Sequence, residues 1–184
     1  DANKPDKQED INKAASELKD SYSGDKMTVE ISTQEELTNF LTKAGSGIKG
    51  KLLNDLTLTG YETLSSFSGE LDGNGHVITV GSTYRGLIVT NYGVIQNITV
   101  RGADLESGAA ICGTNNGLIE NCHNSVNFIG KEKASYGICV YNAESGIISH
   151  CYNTGKLSGT YVGGICGRNY GNITDCHTDV PINA

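Results

Sequence analysis

Cysteine, histidine, carboxylate and arginine are the residues here that could hold a metal or carry a reaction. The 184-residue chain has six cysteines and four histidines. The cysteines form two series. Cys112, Cys139 and Cys166 are spaced by 27 residues each time, and Cys122, Cys151 and Cys176 follow them at ten to twelve residues. If each series is a column of equivalent positions in stacked layers, neighbouring Cβ atoms lie about 4.8 Å apart, whereas a disulfide wants roughly 3.5–4.5 Å. Each column also holds an odd number of thiols, and the same slots accept Ile88 and Ile98. The expected state is therefore six reduced, buried thiols acting as small hydrophobes. Zinc is not expected, because there is no Cys-x-x-Cys pair and stacked sulfurs do not surround a point. His123 and His177 follow their cysteines with Tyr152 in the layer between, about 10 Å apart and too far to share a metal. His150 falls between Asn121 and Asp175 as an exposed partner for the acid, and His76 sits in a turn. No Ser/His/Asp set, no pair of catalytic carboxylates and no phosphate loop is found, so no catalytic residue, cofactor or metal is assigned. Asp72, Asp104 and Glu106 could make a calcium or acid site only if the fold gathered them. Arg85, Arg101 and Arg168 would need carboxylates beside them to do lyase or hydrolase chemistry.

The elements that must position these groups are written as a repeat. Asn91-Tyr92-Gly93, Asn115-Asn116-Gly117 and Asn169-Tyr170-Gly171 are three copies of one phrase, and Asn142-Ala143-Glu144-Ser145-Gly146 is a fourth with two extra residues. Ile88, Cys112, Cys139 and Cys166 stand three places before the Asn. Ile98, Cys122, Cys151 and Cys176 stand five places after the Gly. A fixed period of this length marks a solenoid whose coils bury their apolar faces against their neighbours. Each copy has room for about three short strands, and parallel strands joined by crossovers are right-handed. The fold expected is all-β: a right-handed parallel β-helix with one or two short N-terminal capping helices. Asn91, Asn115, Asn142 and Asn169 should form an amide ladder, and the repeat glycines should supply the backbone freedom of a turn. Equating Gly75 of Asp72-Gly73-Asn74-Gly75 with the repeat glycines puts Val80 in the Ile98/Cys122 column and starts the first coil near Phe67.

Three segments follow: 1–26 a tether and helix, 27–66 an N-terminal cap of strand, helix and first strands, and 67–184 the coils. Residues 1–6 read as linker. Ile11, Ala14, Ala15, Leu18 and Tyr22 have helical spacing, opened by Asp6 and Glu9 and closed by Gly24. This stripe needs the end or the flank of the solenoid to lie on. Met27 to Ile31 alternates as a strand. Ser32 and Thr33 with Glu35 and Glu36 start a second helix, whose Leu37, Phe40 and Leu41 would cover the first coil. At the other end Pro181 is expected to blunt an open edge; otherwise a second molecule covers the last coil by end-to-end self-association, or the natural chain continues past Ala184. A net charge of −7 without a basic stripe argues against nucleic acid. No apolar run approaches a membrane span, and the polar start at Asp1 reads as a trimmed, exported chain.

Gly163-Gly164-Ile165-Cys166-Gly167-Arg168-Asn169-Tyr170-Gly171-Asn172-Ile173-Thr174-Asp175-Cys176-His177 resembles the GLUG-type repeat of bacterial surface proteins, including the non-catalytic part of some IgA-cleaving peptidases. Phe67 to Ile78 and Glu30 to Leu37 resemble segments that precede such repeats, so the likeness spans about residues 28–178. It implies a pectin-lyase-like β-helix, export to the cell surface, and a spacer, adhesion or binding role. Cysteine in the first column, where such repeats often carry Val, departs from the pattern. The expected function is a non-enzymatic secreted or cell-surface module that spaces, adheres or contacts a glycan or host protein. Tyr92, Tyr152 and Tyr170, with Tyr84, Tyr136 and Tyr161, are the expected exposed contacts. The rival is a polysaccharide-acting lyase or hydrolase on the same scaffold.

Overall fold

The short apolar pieces between Gly and Asn form strands of two to four residues, too short to stand alone, and each pairs with its equivalent one coil above and one below. The computed structural model describes residues 7–21, 27–180 and 182–183. All named pairings are parallel. Besides two further strand pairs, Ala134–Tyr136 with Tyr161–Gly163 and Leu157–Ser158 with Ile182–Asn183, they build three faces. The first stacks Thr28–Ile31, Lys49–Leu52, Glu70–Asp72, Val94–Gln96, Leu118–Glu120, Ile147–Ser149 and Asn172–Thr174. The second stacks Leu56–Leu58, Val77–Val80, Thr99–Gly102, His123–Asn124, Tyr152–Asn153 and His177–Thr178. The third stacks Leu64–Phe67, Ile88–Asn91, Cys112–Asn115, Cys139–Asn142 and Cys166–Asn169. From Lys49 onward the chain visits the faces in that order on each coil, which is the right-handed parallel β-helix expected.

Register is strict. Ile88, Cys112, Cys139 and Cys166 are successive partners, as are Asn91, Asn115, Asn142 and Asn169. The buried amides form a continuous ladder: Asn91 Nδ2 donates to Asn115 Oδ1 at 2.9 Å, Asn115 to Asn142 at 2.8 Å and Asn142 to Asn169 at 2.8 Å. Each Nδ2 also reaches the carbonyl of the repeat glycine. Those glycines serve a different purpose from the one expected. None of Gly93, Gly117, Gly146 and Gly171 has positive φ. Instead, a Cβ on Gly117 would lie 2.1 Å from the Gly93 carbonyl oxygen, and one on Gly93 2.0 Å from that of Gly69. The coils touch backbone to backbone at this corner, and a side chain would pry them apart. Positive φ belongs to the next corner, at Asn97, Asn121, His150 and Asp175, where short polar side chains tolerate the left-handed region.

The stack begins earlier than the Phe67 start. Leu56–Leu58 pairs with Val77–Val80, and Leu64–Phe67 with Ile88–Asn91, so a full coil precedes it. Gly69, not Gly75, is the equivalent of Gly93, because Glu70 pairs with Val94. Val80 accordingly pairs with Gly102 rather than entering the Ile98/Cys122 column. The physical reason is turn length: five residue steps lead from Asp72 to Val77, but three from its partner Gln96 to Thr99.

Two helices finish the molecule. α2 (Gln34–Lys43) has the capping box read from its sequence. Thr33 Oγ1 accepts from the Glu36 N–H at 3.2 Å, and the Glu36 carboxylate accepts from the N–H groups of Ser32 and Thr33. Its buried Leu37, Phe40 and Leu41 close the N-terminal end of the coil interior, with Phe40 5.6 Å from Phe67 between ring centroids. Phe67 occupies the Asn column, so the ladder ends on an apolar ring that the cap covers. α1 (Lys7–Asp20) lies on the flank instead. Its Ile11, Ala14, Ala15 and Leu18 pack on Val94, Leu118 and Ile147, which face outward from three successive strands of the first face. Lys19 pairs with Glu120, and Thr174 donates to Gln8 at 2.8 Å, so the helix runs antiparallel to the coil stack. Fourteen residues rise about 21 Å, enough to cross the three coil spacings, about 14 Å, that separate the strands of Val94 and Thr174. The expected linker at 1–6, the Tyr22 and Gly24 end of α1, and Pro181 lie outside the described residues. In the last coil Ile165, Cys166, Ile173 and Cys176 are half-buried, where Ile138, Cys139, Ile148 and Cys151 one coil earlier are fully buried.

Asn115→Ala should lower stability by about 1–3 kcal/mol, since it strands the buried Asn91 donor and the Asn142 acceptor. Asn169→Ala at the exposed end of the ladder should cost much less. Urea midpoints of the two variants check this; equal shifts would mean that the amides do not work as a ladder.

A second expectation concerns pH. Burial alone would raise the Asp72 carboxyl, but hydrogen bonds from the Asn97 amide at 2.9 Å and the Asn74 N–H at 2.8 Å, with Lys49 at 3.5 Å, hold it below its ordinary 3.8. A folded-state value below the unfolded one contributes stability above the unfolded value and loses it as pH falls through the folded one. Urea midpoints should therefore fall below about pH 4, and Asp72→Asn should flatten that decline.

Candidate functional site

The thiol columns do not make a reactive centre. Cys112, Cys122, Cys139 and Cys151 are buried, and all six sulfurs are free, with Cys139 and Cys166 Sγ 3.5 Å apart. In the second column each thiol is held in a backbone chain. Cys151 Sγ accepts from the Cys122 N–H at 3.4 Å and donates to the Ser149 carbonyl at 3.2 Å; Cys176 does the same for the Cys151 N–H and the Thr174 carbonyl. Among the described residues no three His, Cys, Asp or Glu side chains gather as metal ligands would.

The histidines and acids are scattered by the register. On the second face His123, Tyr152 and His177 stack as rings, with centroids 3.9 and 5.4 Å apart and planes within 11°. His123 Nε2 lies 2.7 Å from Thr154 Oγ1, and burial lowers its pKa. His150 and Asp175 approach at 3.8 Å on the surface, and His76 contacts Asp55 at 3.2 Å. Asp72 is engaged by Lys49 and Asn97, Asp104 accepts from Asn127, and Glu106 is exposed elsewhere. The arginines do not converge. Arg85 donates to the carbonyls of Ser82 and Tyr84, Arg101 reaches Thr79 on the second face, and Arg168 belongs to the third.

The tyrosines separate into different roles. Tyr84 is buried, contrary to its expected exposure, with its hydroxyl donating to the Ala110 carbonyl at 2.6 Å. Tyr61, a coil earlier, donates likewise to Leu87. Tyr152 has an imidazole on each ring face, which leaves neither free for a ligand. Tyr92 and Tyr170 are exposed on one corner, three coils or about 14 Å apart. Tyr170 rests against Tyr141 at 5.3 Å. The three expected contacts therefore share no single site.

A groove of about 500 Å³ does gather aromatic groups. It is lined by Tyr136, Val140, Tyr141, Thr160, Tyr161, Val162, Gly167 and Arg168. Its floor is the third face, where Tyr141 and Arg168 are register partners. Its wall is an extra strand pair, Ala134–Tyr136 with Tyr161–Gly163. The wall exists because these two coils are longer. Ten residues lead from Ile78 to Ile88 and twelve from the equivalent Val100 to Cys112, but fifteen from Asn124 to Cys139 and thirteen from Asn153 to Cys166. Tyr136 rests against Gly167: a Cβ there would come 2.5 Å from its ring. Tyr161 projects into solvent, 69% exposed. Tyr141 is the groove tyrosine that sequence reasoning missed, and its signal was its position two residues after Cys139, matching Arg168 after Cys166. A second buried amide pair was missed too. Asn124 Nδ2 donates to Asn153 Oδ1 at 2.6 Å, and Asn153 to Thr178 Oγ1 at 3.1 Å, so the extra residues leave the second face from a fixed corner.

Residues 158–180 match the GLUG motif family, which accords with a GLUG-repeat β-helix. No curated protein matches the chain. A crystal structure from Bacteroides ovatus, described as a "putative immunoglobulin A1 protease", superposes with a TM-score of 0.63 at 21% identity, over 86% of this chain and 58% of that protein. That likeness shows the shared β-helix. The chain spans little more than half of that protein's length.

The thiols give a reactivity order. Cys176 is half-buried and its pKa is lowered, chiefly by its hydrogen bond with Cys151; Cys166 is similarly buried, but its contact with Cys139 pushes its pKa up. Alkylation of the native protein at neutral pH should label Cys176 first, then Cys166, with the other four protected until denaturant is added. Peptide mass spectrometry checks the order. Fewer than four free thiols in denaturant without reductant would overturn the reduced-core reading.

Proposed function

We propose that this chain is a non-enzymatic module, exported and displayed at a bacterial cell surface, that holds a glycan in the groove walled by Tyr136 and Tyr161. The observation that carries this reading is the groove itself, with three tyrosines, open to solvent, on a rigid parallel scaffold. Tyrosine offers a flat apolar face for the C–H side of a sugar ring and a hydroxyl for its polar rim, at low cost in side-chain order. The scaffold keeps these faces in place, because Tyr136 is seated on Gly167 and Tyr141 in its strand. Among the described residues that line the groove none is a carboxylate that could donate or abstract a proton, which supports binding over cleavage. The GLUG motif and the β-helix likeness support a place among surface β-helix modules.

Glycan-array screening followed by calorimetry tests this. Tyr161→Ala and Tyr136→Ala should each weaken binding of a positive glycan by roughly 5-fold or more, the scale of a lost stacking contact. Tyr92→Ala, two coils from Tyr141 and outside the groove, should leave it unchanged. An array without hits, or equal effects from all three substitutions, would remove the glycan reading.

A further inference from the structure

We infer that the groove selects saccharides that carry a carboxylate, with Arg168 as the group that reads it. This deepens the glycan proposal and rests on it. Arg168 lines the groove, is exposed, and makes no side-chain hydrogen bond or ion pair among the described residues. Several other cations of the molecule are engaged: Lys49 with Glu70 and Asp72, Lys19 with Glu120, and Arg85 with two backbone carbonyls. The groove thus presents a positive group among tyrosines with no acid among its described lining residues, on a chain whose net charge of −7 otherwise repels anions.

Position gives that charge a use. Tyr136 covers Gly167, the residue before Arg168, and Tyr141 is the register partner of Arg168 one coil below. A sugar ring laid on the tyrosines therefore has the guanidinium beside it, about one coil spacing away. A guanidinium presents two parallel N–H groups that match the two oxygens of a carboxylate, a fit that a hydroxyl or an ester cannot reproduce. The tyrosine faces favour a saccharide over an acidic peptide, because a peptide would leave the flat ring surface without a partner of the same shape.

The test uses two matched pairs of probes in calorimetry: a galacturonic acid oligomer against its methyl ester, and sialyllactose against lactose. The first places the carboxylate within a chain and the second on a terminal sugar, so the pairs distinguish the two sources. Wild type should bind at least one acid about 10-fold or more tighter than its neutral counterpart, the scale of a charge-assisted hydrogen bond. Arg168→Gln should lower that acid to the level of its neutral partner and leave the neutral partner unchanged. Equal binding of acid and neutral forms by wild type, with no effect of Arg168→Gln, would overturn the inference and leave the glycan reading standing. So would comparable binding of a polyglutamate peptide. Failure of every saccharide on the array and in calorimetry would remove the glycan reading, and this inference with it. Arg168 is exposed, so circular dichroism of Arg168→Gln should match wild type and keep the comparison valid.

Discussion

Backbone contact between successive coils at the corner joining the third and first faces is the constraint from which the rest of the molecule follows. At that corner the Gly117 position lies so close to the Gly93 carbonyl that no side chain fits. With coils this close, each residue meets its own equivalent above and below, and every column must be able to stack on itself. Asparagine can, because its amide both donates and accepts. A thiol can, as a small hydrophobe with a weak donor and acceptor. A carboxylate stacked on a carboxylate cannot, and on the first face the columns alternate instead. Asp72 and Glu70 meet Lys49 on one side and the neutral Gln96 or Asn97 on the other.

A solenoid built this way has two vulnerabilities, its ends and any outward apolar stripe, and the two helices address one each. α2 is a strongly capped helix with three buried apolar residues, each worth roughly 1.5–3 kcal/mol. The ladder gives way to Phe67 beneath it. α1 has a thinner stripe, with Ala15 its one fully buried residue, and the polar contacts of Lys19 and Thr174 fix its direction. It covers Val94, Leu118 and Ile147, an outward column that would otherwise be an apolar strip on a flat sheet.

The groove arises from the same geometry by a local departure from the period. Strict repetition places identical side chains in straight columns, which space and stiffen but do not converge. Convergence needs a coil that leaves the stack and returns. Two adjacent coils do so with longer connections, and these pair with one another to raise a wall beside the third face. The buried Asn124–Asn153 amides anchor their departure, and Gly167 accommodates the ring that leans back over the floor. The groove thus stands where repetition is relaxed, on a frame that repetition keeps rigid.

Much of this was legible in the residues themselves. The Asn-x-Gly phrase, the two cysteine series and the Thr33/Glu36 box are periodic or local signals, and they state the coil, its ladder and its cap without reference to anything distant. The Asp72–Gly75 turn misled the register, because Gly75 imitates the repeat glycine while its two extra residues are visible only once Glu70 is paired with Val94. Tyr84 and Tyr152 looked exposed because composition does not say which wall a ring meets; the coil interior took one and two imidazoles enclosed the other. The docking of α1 on the flank and the meeting of Tyr136 with Gly167 join residues that share no period, and only the folded chain decided them. Repetition in a sequence encodes contacts between equivalent residues, whereas a site is made by contacts between unlike ones, and these depend on how far each connection strays before the next coil recaptures it.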